Sequence, residues 1–209
     1  MPPESEATTL DDPARLVGLI LMNWVLFDYG NVLSLPQPHS DVEAMAQAAG
    51  LDLPAFRQGY WKHRLEFDRG TLSPQEYWSL ALGRQAGEQE VDGLVELDVA
   101  SWSHANEGTV AVMRRLPRVA LLSNAPVCIA DGIDRLPWMA GIEPRFYSGR
   151  MGMVKPDREI YLAVLEGLGA EPGEVTFVDD RLENIEAAEH AGLVGVHFRE
   201  PSDLEPLLR

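Results

Sequence analysis

Residues 24–33 read WVLFDYGNVL. The first four, Trp24 to Phe27, have the bulk and apolarity of a buried strand. The run then stops on Asp28 and turns at once through Gly30. A carboxylate costs free energy to desolvate unless something pairs with it. Asp28 therefore either reaches water or has a partner, and the rest of the chain decides which. Three further runs, RVALLSN (118–124), EVTFVDD (174–180) and LVGVHF (193–198), read as strands. RFYSG (145–149) is a weaker candidate. Between them NEGTVAVMRRL (106–116), DREIYLAVLEGLG (157–169) and LENIEAAEHAG (182–192) read as helices. Strands alternating with helices predict an α/β fold with a parallel sheet and crossover helices. Asp28, Ser123, Asn124, Asp179 and Asp180 all fall at strand ends. Open parallel sheets bind ligands beyond those ends, so the five are expected to share one crevice.

The stretch between the first strand and the second carries no strand signal. HSDVEAMAQAAG (39–50) offers a capping box, Ser40 to Glu43, and a stop at Gly50. LPAFRQGYWKHRLEFDRG (53–70) predicts one helix, with Pro54 at its start and Gly70 beyond its end. TLSPQEYWSLALGRQAG (71–87) repeats the box with Ser73, Pro74 and Glu76, and a fourth amphipathic stretch runs from Glu88 to Trp102. The expected organisation is a tail at 1–21, a sheet domain formed by 22–37 with 106–209, and an all-helical insert at 38–105. Arg57, Trp61 and Arg64, spaced i, i+4 and i+7, share one helix face. That face either grips the non-phosphate part of a substrate or is solvated, with Trp61 packed at its edge. Tyr77 and Trp78 are expected in the core of the insert.

Composition narrows the classes. The chain has 209 residues, 45% of them hydrophobic, enough for one sizeable core. A net charge of −16 argues against nucleic-acid binding, which rests on clustered Lys and Arg. A small anionic substrate needs a local cation to override that field. Cys128 is the only cysteine, so no intrachain disulfide forms, which fits a reducing cytoplasm. The opening residues are acidic, and the apolar run from Leu16 to Met22 is too short to span a membrane. Residues 1–21 read as a tail rather than a signal peptide, and Met22 is a second candidate start. Only two of the 17 basic residues are lysines, Lys62 and Lys155.

Singly, each polar element has an ordinary explanation: a strand-end turn, a helix entry at Pro156, an acidic helix cap. In order, FDYGNVL, LLSN, GMVKPDREIY and FVDDRLENIEAAEHAG make the chain resemble the haloacid dehalogenase-like hydrolase superfamily from about Met22 onward. The resemblance implies a Rossmann-like core with the helical insert as a cap over the active site. It implies Asp28 as a nucleophile that forms an aspartyl-phosphate, and Mg2+ held by Asp28, the Gly30 carbonyl and the pair Asp179/Asp180. It implies Lys155 as the charge that neutralises phosphate and keeps Asp28 ionised, with Ser123 and Asn124 donating to phosphate oxygens. Asn184, one turn beyond Asp180, faces either the crevice or solvent. The expected substrate is a small phosphorylated metabolite, with no nucleic-acid or membrane partner.

One departure stands out. Most phosphatases of the superfamily it resembles carry a second aspartate two residues after the nucleophile, where this chain has Gly30. Acid–base assistance of that kind is worth roughly 10²–10⁴ in rate. The D-x-G-N-V form resembles a branch that includes sugar-phosphate phosphatases. A replacement donor is expected from metal-bound water, the substrate or a cap residue, with His39 and His63 as candidates. Gly30 also keeps open a binding protein of weak activity and a metal-independent 2-haloacid dehalogenase. Against the dehalogenase, Asp179 and Asp180 beside Asp28 would repel one another without a cation. A phosphonatase would need Lys62 as a desolvated amine, and its YWKHR setting reads as an exposed helix.

Overall fold

The computed structural model describes residues 23–208. The expected tail, 1–21, and the alternative start at Met22 lie outside the described residues. Five parallel strands, β1 (Trp24–Phe27), β2 (Val119–Ser123), β3 (Arg145–Tyr147), β4 (Val175–Asp179) and β5 (Val194–His197), form one sheet in the order β3-β2-β1-β4-β5. β1 is therefore central, with Phe27 in register with Leu121 on one side and Val178 on the other. Alternation along the strands feeds two cores. Val25, Phe27 and Leu121 face one layer, whereas Leu26, Ala120, Leu122 and Phe177 face the other.

After β1 the chain enters five helices without an intervening strand: α1 (His39–Ala48), α2 (Leu53–Lys62), α3 (Arg64–Asp68), α4 (Pro74–Leu82) and α5 (Glu88–Ser101). They enclose a core of their own around Met45, Phe56, Phe67, Tyr77, Trp78 and Leu94, and Tyr77 and Trp78 are fully buried. The Ser73–Glu76 capping box forms. The Ser40–Glu43 box does not. α1 starts two residues earlier, at His39 after Pro38, so Ser40 already lies inside the helix. The single helix expected over 54–69 is two, broken at His63, whose ψ of 19° departs from the helical value. The break separates residues that a straight helix would align: Arg57 stays exposed, while Arg64 turns into the interior.

The sheet is completed by α6 (Glu107–Met113), α7 (Val127–Ile133), α8 (Ser148–Met151), α9 (Arg158–Leu168) and α10 (Leu182–His190). Val110, Ile129 and Ile133 cover one face; Ile160, Val164, Ile185 and Ala188 cover the other. The insert meets the sheet domain through a narrow neck. There Ser34 and Ala105 pair antiparallel, Leu35 N–H donates to the His104 carbonyl at 2.7 Å, and Asn106 N–H donates to the Leu33 carbonyl at 2.8 Å. A second contact lies at the end of α3, where Ser148 Oγ donates to the Asp68 carbonyl and Arg69 pairs with Asp157 at 3.0 Å. Among the described residues no helix is long and apolar enough to cross a membrane.

Two glycines of the insert should respond in opposite directions. A Cβ at Gly59 would stand 2.0 Å from the Ala81 carbonyl, so Gly59→Ala must force α2 and α4 apart. It should lower unfolding free energy by about 1–3 kcal/mol in a urea titration. Gly93, inside α5, has nothing within 4 Å of that position, and Gly93→Ala should raise it by about 0.5–1 kcal/mol.

Candidate active site

The centre of the site is a buried lysine. Lys155 Nζ lies 2.7 Å from Asp28 Oδ1 and 2.7 Å from Asp179 Oδ2, tying together the ends of β1 and β4. Its backbone is pinned from the end of β2. Lys155 N–H donates to Asn124 Oδ1 at 2.8 Å, and Asn124 Nδ2 donates to the Lys155 carbonyl at 2.9 Å. Asp179, fully buried, accepts from Arg181 N–H at 2.8 Å and from Asn184 Nδ2 at 3.0 Å. Burial opposes the Lys155 charge, but Asp179 and Asp28 outweigh it and hold its pKa above the ordinary lysine value. Burial pushes Asp28 up to about 7, against the pull of Lys155 and with Asp179 adding repulsion.

Asp28 is aimed by its own backbone. Its N–H donates to the Val178 carbonyl at 2.8 Å, and its carboxylate accepts the Tyr29 N–H at 2.7 Å. The following turn, Tyr29–Leu33, places Asn31 at φ 60°, a left-handed conformation that asparagine tolerates better than most L residues. Asn31 Nδ2 then donates to Asp180 Oδ2 at 3.0 Å. Sequence reasoning passed over Asn31, although the Gly-Asn pair at this turn was a signal for it.

Oxygens of Asp28, Asp179 and Asp180 come within 4.8 Å of one another. Three carboxylates around one ammonium leave negative charge to neutralise, and the donors are all hard oxygens, which suits Mg2+. The buried Asn184 Oδ1 also has no hydrogen-bond partner, so one acceptor beside the cluster is left to match a cation or its water. The residues present fit the ion.

Above the cluster lies a cavity of about 370 Å³. Asp28, Gly30, Ser123, Asn124, Lys155, Asp180 and Asn184 line it from the sheet domain, and Trp61, Arg64, Leu65, Asp68 and Trp102 from the insert. Asp179 sits behind this surface, in contact with Lys155. Asn124 and Asn184 are present, but their amides are engaged by Lys155 and Asp179. Trp61, 55% exposed, lines this cavity and a neighbouring one. Arg57 lines only the neighbouring cavity, with its guanidinium 3.2 Å from His39 Nδ1. His39 pairs with Glu43 at 3.2 Å, and neither His39 nor His63 lines the main cavity. Lys62 is exposed.

Lys155→Met would leave two buried carboxylates facing each other. Removing one partner of a buried ion pair typically costs about 3–5 kcal/mol. The variant should lose stability on that scale in a denaturant titration at neutral pH. It should recover part of the loss on acidification, because protonating Asp28, whose pKa burial already raises, relieves the repulsion.

Residues 22–192 match the family model of the haloacid dehalogenase-like hydrolases. A sesquiterpene phosphatase of Aspergillus oryzae is 27% identical over 185 residues, covering 83% of this chain and 88% of that protein. A wild-type HAD family enzyme of Bacteroides thetaiotaomicron, in complex with magnesium and inorganic phosphate, superposes with a TM-score of 0.62 at 20% identity, over 90% of this chain and 100% of that one. An L-2-haloacid dehalogenase of Xanthobacter autotrophicus with chloropropionic acid covalently bound gives 0.66 at 18% identity, over 83% and 76%. The two structures share the fold with this chain and differ in what they bind. With the family model spanning both the sheet domain and the insert, the chain belongs to the haloacid dehalogenase-like hydrolase family.

Proposed function

We propose that the protein is a magnesium-dependent phosphatase of a small phosphorylated metabolite, with Asp28 as nucleophile. The observation that carries this reading is the gathering of Asp28, Asp179 and Asp180 at the carboxyl edge of the sheet, two of them paired with Lys155. The phosphatase among the relatives supports it, as does the fold neighbour with bound magnesium and phosphate. Residues 22–37 and 106–209 form the catalytic core in this reading, and 38–105 form a cap over it.

Asp28, the Gly30 carbonyl and Asp180 would hold the ion. Asp179 stands behind them, because both its oxygens already accept protein hydrogen bonds. When bound, Mg2+ neutralises charge on the transferring phosphoryl group. Asp28 attacks phosphorus, the bond to the leaving oxygen breaks, and water then cleaves the aspartyl-phosphate. Splitting the displacement in this way lowers each barrier. Lys155 keeps Asp28 oriented and draws the phosphate in. Ser123, on the cavity wall, donates to a phosphate oxygen, while Asn124 fixes Lys155 and Asn184 fixes Asp179. Trp61 contacts the organic part of the substrate from the roof, with Arg57 at the margin.

The test is phosphate release from a panel of phosphate esters with Mg2+. Turnover should vanish with chelator and return with Mg2+. Asp28→Asn should lower kcat on the order of 10⁴–10⁶, the scale of losing a nucleophile. Full activity in that variant would overturn the reading. Gly30 favours one second reading, a binder of phosphorylated metabolites, which would show affinity without turnover. Halide release from chloroacids without metal would instead mark a dehalogenase.

A further inference from the structure

The proposed reaction needs a proton for the departing oxygen, and Gly30 has none to give. A Cβ at Gly30 would stand 3.4 Å from the Trp102 ring, so an acidic side chain at this position would meet the indole. The donor has to come from elsewhere on the cavity wall. Among the described residues the carboxylates lining that wall are Asp28, Asp180 and Asp68, and no histidine or cysteine joins them. Asp28 is the proposed nucleophile and Asp180 would hold the ion. The Tyr29 hydroxyl also reaches the cavity region but already donates to the Trp102 carbonyl at 2.7 Å.

Asp68 is held firmly in place by both domains. Its carbonyl accepts from Ser148 Oγ, and that hydroxyl also accepts the Ala125 N–H at 2.9 Å. The link fastens the end of α3 to the loop that follows Ser123 and Asn124. Asp68 Oδ1 accepts from Arg64 Nε at 2.8 Å, and its other oxygen makes no hydrogen bond among the described residues. Arg64 is shared, because Nη1 also lies 3.0 Å from Asp98 Oδ2. One guanidinium thus serves two buried carboxylates, leaving Asp68 only partly neutralised.

Resting on the phosphatase reading, we propose that Asp68 is the general acid and base that replaces the aspartate absent at Gly30. In the first half-reaction Asp28 Oδ bonds to phosphorus, the ester P–O bond breaks with its electron pair on the leaving oxygen, and the Asp68 proton moves to that oxygen. In the second, water attacks the phosphorus of the aspartyl-phosphate, its proton passes to Asp68, and Asp28 leaves as carboxylate. The sum is ester plus water giving alcohol plus inorganic phosphate, with both aspartates restored. Burial raises the Asp68 pKa to about 6, with Arg64 opposing and Asp98 adding to the rise, which suits a group that must gain and lose a proton near neutrality.

Leaving-group chemistry separates this role from a structural one. Benzyl phosphate needs its departing oxygen protonated, whereas 2,4-dinitrophenyl phosphate does not. Asp68→Asn should lower kcat/KM for the benzyl ester by about 10²–10⁴. For the dinitrophenyl ester the loss should stay below about tenfold, because kcat/KM ends at the transfer to Asp28. The ratio of the two is independent of how much of the variant folds. Equal losses on both esters, with wild type active and Asp28→Asn inactive, would overturn the role of Asp68 alone. No turnover of either ester by wild type would overturn the phosphatase reading and this proposal with it.

Discussion

A single ammonium group holds the centre of this molecule together. Lys155 sits between two carboxylates at the ends of the central strand and its neighbour β4, all three almost out of reach of water. None of the three charges would be tolerated there alone, since desolvation of an unpaired ion outweighs anything packing returns. The surrounding polar groups follow from that constraint. Asn124 clamps the lysine backbone, Asn184 and Arg181 N–H satisfy Asp179, and Asn31 reaches across to Asp180. Each reactive position is thus held by a second residue whose own orientation is fixed, the condition for a site rigid enough to do chemistry.

The topology explains why the cluster forms where it does. The chain moves from β1 outward through β2 to β3, then returns to the other side of β1 for β4 and β5. The reversal leaves a crevice at the carboxyl ends of the strands beside β1, where loops part in opposite directions. Asp28, Asn124 and Asp180 all leave the sheet into that gap. From the insert, which begins just after β1, Trp61, Arg64 and Asp68 line the cavity over that gap.

Much of this was legible from local pattern. The strands around Asp28, Ser123 and Asp179 were short apolar runs ending in polar residues, and their positions hold to within a residue or two. The Ser73 box formed because Pro74 sets the first helical position and leaves Ser73 as the cap, whereas Pro38 starts α1 ahead of Ser40. What was hidden depended on distant partners. Arg64 looked like a surface residue on a continuous helix, but Asp98, 34 residues away, draws it inward. Asp68 drew no reading from the sequence, because nothing local marks its burial against Ser148. Asn124, expected at the crevice, and Asn184, left open between crevice and solvent, both line the cavity. Their engagement with Lys155 and Asp179 was not, because an amide's partner is set by side-chain direction rather than by spacing.

The neck between the insert and the sheet domain bears on the order in which the chain acquires its structure. β1 must find β2 across the whole length of the helical segment, a search whose entropic cost grows with the length of chain between them. The antiparallel pairing of Ser34 with Ala105 brings the two ends of that segment side by side. Once the helices have collapsed on their own aromatic core, the effective tether between the strands shrinks to the few residues beyond the pairing. The insert then acts as an internal scaffold for assembly of the sheet, turning the long-range contact of β1 with β2 into a nearly local one.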